Sequence, residues 1–162
     1  MGTLKALHSS ERMDWQTPDE VLDLVRSVGP IGYDPCTTPD NPTGARWVSA
    51  PPLDGLTSRW GLWELIYVNP PYGRELPKWT AKCAREGTAG SEIILLVPAR
   101  TDTVWFHRDI RQAHRVCFWK GRMRFKGAAS SAPFPSLLAY WGQRPERFTE
   151  VFASRGVVVD VR

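Results

Sequence analysis

The chain has 162 residues, 21 basic against 17 acidic side chains and so a net charge of +4, with eight tryptophans. That length buries one core but leaves little room for a second, separate recognition domain, and no apolar run nears the roughly 18 residues that would span a bilayer. The first dozen residues lack the apolar stretch of a signal peptide, so a cytoplasmic protein is expected, and the basic charge suits a polyanionic partner.

Residues 1–13 are polar and without period, and disorder is expected there. The remainder, 14–162, is expected to form a single domain. Thr17-Pro18-Asp19-Glu20 has the pattern of a helix start, with Thr17 as cap, Pro18 at the first helical position and Glu20 closing a capping box. Val21, Leu24, Val25 and Val28 then share one face, and Gly29-Pro30 ends the helix.

Residues 31–34 read as a short strand leading into Pro35-Cys36-Thr37-Thr38. Asp34 at its C-terminal end either faces the ligand crevice of an α/β sheet or caps its own turn. Residues 38–60 are rich in Pro, Gly and Asp; the only regular element expected is a strand fragment at 46–48. Asp54-Gly55 has the composition of a simple turn.

The stretch Ile66-Tyr67-Val68-Asn69-Pro70-Pro71-Tyr72-Gly73 is an apolar strand running into a stiff turn. Pro70 and Pro71 fix φ and remove two donors, which leaves the Pro70 carbonyl with no neighbouring N–H to fold back onto. Asn69 adds a second acceptor and Tyr72 a flat ring. Two acceptors and a stacking face suit a planar ring carrying an exocyclic amine, such as adenine N6 or cytosine N4. The lone pair of such an amine is delocalised into the ring, and the nitrogen becomes nucleophilic only when its hydrogens are drawn to acceptors. Positive charge then develops where the carbonyl dipoles already point. The alternative is a Pro-rich turn closing a buried strand, with Tyr72 packed on the core.

Residues 75–85 read as a helix with Leu76, Trp79 and Cys83 inward, followed by a loop at 87–90. Residues 92–97 form a near-continuous apolar run bounded by Pro98, as in a strand buried on both faces. A helix over 101–113, strands at 115–119 and 136–141, a helix over 145–154 and an edge strand at 157–161 complete the chain. The loop between the last two internal strands carries Lys120, Arg122, Arg124, Phe125 and Lys126. Its four cations suit phosphate contacts; the alternative is a solvated basic loop over a hydrophobic plug formed by Phe125.

Cys36, Cys83 and Cys117 are scattered and include no Cys-x-x-Cys pair, so neither a disulfide framework nor a zinc site is expected. His107 and His114 lack a third ligand, and no metal is expected. Strands alternating with helices predict an α/β fold, mostly parallel in its central sheet with a closing antiparallel strand. Right-handed crossovers would put Asp34 and Asn69 at one edge.

The succession Trp-x-Thr-Pro, Asp-Pro-Cys, Asp-Gly-Leu, Asn-Pro-Pro-Tyr, Pro-Ala-Arg-Thr-Asp-Thr, Lys-Gly-Arg-x-x-Phe and Pro-Phe-Pro-Ser resembles the phage-borne Dam-like DNA adenine N6-methyltransferases, from Asp14 to about Trp141. The resemblance implies a reduced Rossmann-like methyltransferase fold, S-adenosyl-L-methionine as cofactor, DNA as partner and the cytoplasm of a host cell as location. It implies Asn69, Pro70, Pro71 and Tyr72 as the catalytic turn. Trp15, Thr17 and Pro18 match a segment at the methionine end of the cofactor, Asp34 and Pro35 the acidic-proline opening of the first loop, and Asp54 the carboxylate on the cofactor adenine. The glycines usual after Asp34 are missing. Phe125 matches an aromatic that packs on an extruded base, with Phe134 as the other candidate. Two further functions compete: methylation of a protein glutamine amide, and nucleic-acid binding without catalysis.

Overall fold

The apolar run at 92–97 is where the sheet is built, because a strand with no polar face must be covered on both sides. The computed structural model describes residues 15–162; the 1–13 segment lies outside them. In chain order these residues form α1 (Asp19–Val28), β1 (Tyr33–Asp34), β2 (Trp47–Val48), β3 (Ile66–Val68), α2 (Leu76–Thr88), β4 (Ile93–Pro98), α3 (Val104–Arg108), a 3-10 turn (Ile110–Gln112), β5 (Arg115–Trp119), β6 (Ser136–Trp141), α4 (Pro145–Phe152) and β7 (Gly156–Val159). The class is α/β.

The seven strands lie in the order β2-β1-β3-β4-β6-β5-β7. Pairings β1–β2, β1–β3 and β3–β4 are parallel, with Val68 opposite Leu95. Pairings β4–β6, β5–β6 and β5–β7 are antiparallel, with Pro98 opposite Ser136. The sheet is therefore mixed, and the expectation of a mostly parallel sheet with one closing strand is corrected. β6 inserts between β4 and β5 and makes both of its ladders antiparallel, and β7 adds a third at the edge. β1, β2, β3, β4 and β5 nonetheless run in one direction, so their C-terminal ends share an edge with the start of β6.

Alternation along each strand divides the core. Tyr67, Ile94, Leu96 and Leu138 face α1 and α4, packing with Val21, Val25, Phe148 and Phe152. Ile66, Val68, Leu95 and Val97 face the opposite way, onto Leu76, Trp79 and Cys83 of α2 and onto Trp105 and Ile110.

Several elements differ from their sequence readings for local reasons. The α1 cap position falls on Pro18, with no side-chain cap, because the Thr17 hydroxyl bonds Tyr67 and Asn69 instead. α2 runs on through the expected loop to Thr88. There Gly87 is a packing requirement: a Cβ would lie 2.4 Å from Trp141 Cγ. The single helix expected over 101–113 is a short α3 and a 3-10 turn, broken at Asp109, whose buried carboxylate takes the Thr80 hydroxyl at 2.6 Å and Arg108 at 2.7 Å.

Candidate active site

The turn after β3 is held from four directions. The Asn69 carboxamide donates through Nδ2 to the Trp15 carbonyl and, at 3.0 Å, to Thr17 Oγ1. Thr17 Oγ1 lies 2.7 Å from the Tyr67 hydroxyl. On the other side the Tyr72 hydroxyl sits 2.8 Å from Asn69 Oδ1 and 3.1 Å from the Leu96 carbonyl. The Trp15 carbonyl can only accept, so it fixes which end of the amide faces it. Both N–H donors of Asn69 are spent inward, and its oxygen keeps one lone pair beyond the bond from Tyr72. Pro70 is buried while Pro71 is exposed, and the Pro70 carbonyl accepts no hydrogen bond from the described residues.

Tyr67 reads from the sequence as one more apolar strand residue and is not among the candidates there. It is fully buried, and burial holds its phenol protonated far above the usual range. Its hydroxyl meets the site at Thr17.

A cleft of about 470 Å³ opens beside this turn, walled by Trp15, Thr17, Asp34, Asp54, Asn69 and Pro70 among others. Asp34 is 3% exposed. Its Oδ1 accepts the Cys36 N–H at 3.0 Å and its Oδ2 the Thr43 hydroxyl at 2.9 Å. Burial pushes its carboxyl up to about 6, against the pull of those two bonds. Asp34 thus caps its own turn and also walls the cleft. Asp54 is exposed and takes the Leu56 N–H on Oδ1 at 2.9 Å, a turn aspartate on the cleft wall. Gly55 packs so tightly that a Cβ would lie 1.8 Å from the Pro35 carbonyl oxygen; Pro35 serves as a backbone abutment. Lys82, missed from the sequence, reaches from α2 to the Leu56 and Ser58 carbonyls and lies over the Trp60 ring, tying this wall to the helix. Pro18 closes α1 with its carbonyl, which accepts from Val21 and Leu22.

The basic loop lies at the same sheet edge, since it joins the end of β5 to the start of β6. Lys120, Arg122, Arg124 and Lys126 are exposed; Lys126 pairs with Asp19 at 3.0 Å, and Arg124 touches the Ala129 carbonyl at 3.5 Å. Phe125 is 2% exposed and packs on Trp15 and Tyr72 with ring centroids 5.2 and 6.2 Å away. In this arrangement it lies beneath the loop, with its ring covered by Trp15 and Tyr72. Phe134 is half-buried and stands edge-on to Tyr72 at 5.6 Å and to Trp15 at 5.3 Å. Among the described residues no group of three or more His, Cys, Asp or Glu is placed to hold a metal ion, and no helix is long and apolar enough to cross a membrane.

A turn built to offer acceptors beside a cleft is the arrangement expected for amine methylation, and the comparison of the chain with known families agrees. The family model for Dam, DNA N-6-adenine-methyltransferase, matches residues 5–140. The chain belongs to this family. A search of curated proteins finds no match. The match to the Dam family spans the cleft, the Asn69 turn and the basic loop and ends within β6, ahead of α4 and β7. As a Dam-family member the protein is a DNA adenine N6-methyltransferase, which decides against the protein-amide and non-catalytic readings.

Proposed function

We propose that this methyltransferase binds S-adenosyl-L-methionine in the cleft and presents Asn69 and Pro70 to the N6 amine of a target adenine. The observation that carries the reading is the locked amide of Asn69, with its donors spent on Trp15 and Thr17 and its oxygen, bonded once by the Tyr72 hydroxyl, keeping a lone pair next to a Pro70 carbonyl that accepts nothing from the described residues.

The residues present fit the cofactor. The cleft volume of about 470 Å³ is that of a small-molecule site, and its wall holds the buried Asp34 carboxylate with the Thr37 hydroxyl turned to it, short of a full hydrogen bond. Asp34 would receive the ammonium group, since a carboxylate held up at about 6 by burial gains most from a cation beside it. Asp54 would take the adenine amine on its second oxygen, and Trp15, Thr17 and Pro18 would line the methionine end. When bound, S-adenosylmethionine supplies a methyl group on a positively charged sulfur. Asn69 Oδ1 and the Pro70 carbonyl draw the two amine hydrogens out of the base plane and stabilise the charge that develops on nitrogen. Pro71 stiffens the turn, and Tyr72 and Phe134 flank the base.

Lys120, Arg122 and Arg124 bind phosphates, and Lys126 does so once released from Asp19. Phe125 supports this loop from below. We read the domain 14–162 as one methyltransferase unit of reduced Rossmann-like type, acting in the cytoplasm: five strands share a direction around the cleft edge, and β2 with its connections replaces the usual crossover. Expressed in a host without DNA methylation, the wild type should leave N6-methyladenine at a defined sequence in the genome. The Asn69→Ala protein, at equal soluble level, should leave none; methylation at the wild-type level would remove Asn69 from the chemistry.

A further inference from the structure

The cleft edge carries cations that the basic loop does not account for. Arg74 follows the catalytic turn between β3 and α2, and Arg100 follows β4 on the way to α3. Both are exposed, and among the described residues none engages either side chain in an ion pair or hydrogen bond. Arg26, Arg46, Arg85, Arg108, Arg115, Arg144, Arg147 and Arg155, by contrast, all pair with carboxylates. A guanidinium left unpaired at a site that acts on a polyanion is available to phosphate without breaking anything first.

Their position relative to Asn69 follows from the sheet. α2 and α3 cover the face lined by Ile66, Val68 and Leu95, so Arg74 and Arg100 sit at the entrances of the elements on that face. Residues 120–135 cover the other face, where Met123, Phe125 and Ala132 pack with Tyr67 and Leu96. Asn69 lies at the edge between, turned toward Thr17 on the loop side. Cations thus flank it on both faces. From β3 to β5 is three strand spacings, about 14 Å at about 4.8 Å each, comparable with the rise of about four base pairs along a duplex axis at about 3.4 Å each. Asp102 is the exposed carboxylate among residues 99–103, and it follows Arg100 on the way into α3.

We infer that Arg74 and Arg100 form a second phosphate-binding bank, so that the DNA strand carrying the target adenine is held on both sides of Asn69. The inference rests on the assignment of residues 120–126 as the first bank. The two banks hold the backbone on either side of the target nucleotide while its base turns out toward Asn69. Part of the cost of unstacking a paired base is then met by phosphate binding that carries no sequence information.

The test is the salt dependence of duplex binding, measured by fluorescence anisotropy for wild type, Arg74→Ala/Arg100→Ala, Lys120→Ala/Arg122→Ala/Arg124→Ala and a control, Arg59→Ala/Arg111→Ala. Arg59 and Arg111 are exposed near the opposite edge, ahead of β3 and β5. The Arg74/Arg100 variant should bind about tenfold more weakly and flatten the slope of log affinity against log salt by about 0.9 for each phosphate it no longer neutralises, with cofactor affinity unchanged. The control should match wild type. A wild-type slope for the Arg74/Arg100 variant, with a flattened slope for the loop variant, overturns the second bank alone. Wild-type slopes for both overturn the loop assignment as well. Equal flattening in the control also overturns the inference, because the effect would then be that of net charge.

Discussion

At the scale of single residues the site is a question of which hydrogen-bonding groups remain unspent. Tyr72 supplies more than a face: its hydroxyl lies against Asn69 Oδ1 and the Leu96 carbonyl, so Phe is not a full substitute for Tyr there. Tyr72→Phe should lower stability by about 1 kcal/mol, as an ordinary hydrogen bond does, and slow methylation by less than about tenfold. Chemical denaturation and single-turnover rates check both; a rate decrease as large as that of Asn69→Ala would make the hydroxyl a participant in the chemistry. Asp34 makes a pH prediction. Its carboxyl is raised from 3.8 to about 6 in the folded state, so the folded protein binds the proton more tightly than the unfolded chain does. Its contribution to stability is complete below pH 3.8 and is lost as pH rises through about 6. The shift corresponds to about 3 kcal/mol at about 1.36 kcal/mol per pH unit. Between about pH 4 and pH 8, Asp34→Asn should therefore gain about that much stability relative to wild type, measured by urea denaturation at each pH. A difference that does not change with pH would contradict the buried charge.

At the scale of elements, most of the regular structure was legible because apolar period and turn residues agreed. The strands at 115–119 and 136–141 stand where the pattern put them, as does the two-residue β2 within the expected 46–48 fragment. Where the reading failed, a tertiary interaction overrode a local rule. Thr17 has the ideal spacing for a helix cap, but a buried Tyr67 hydroxyl fifty residues away takes it. Gly87 has the look of a helix terminator, but it is the point where α2 meets Trp141. Phe125 sits in a run of cations that reads as a binding loop, yet the loop folds its aromatic inward under the charges. Phe125→Ala should accordingly cost about 3–5 kcal/mol of stability, the usual range for emptying a buried aromatic site. The folded fraction should bind DNA with wild-type affinity. A stable Phe125→Ala protein with weakened DNA binding would restore the residue to the interface.

At the scale of the whole molecule, sequence and structure converge on one edge of one sheet. The Asn-Pro-Pro-Tyr turn, the acidic residue at the end of β1 and the basic loop were each ambiguous alone, and their common location follows from five strands sharing a direction. One closing antiparallel strand was legible, but the extent of antiparallel pairing was not, because the insertion of β6 depends on a long-range pairing with β4 that no local pattern encodes. Nor was the locking network around Asn69, whose members lie up to 54 residues apart in sequence. The central claim is that this network turns the Asn69 oxygen toward the amine of the target adenine and that its effect is on the chemical step. The most direct measurement is the single-turnover methylation rate constant of Asn69→Ala on a duplex substrate, with S-adenosylmethionine affinity from calorimetry on the same preparation. The account expects the rate constant to fall by about 100- to 1000-fold, the usual decrease on removing one preorganised dipole from a site of developing charge, with cofactor affinity unchanged. A rate constant within a few-fold of wild type would contradict it.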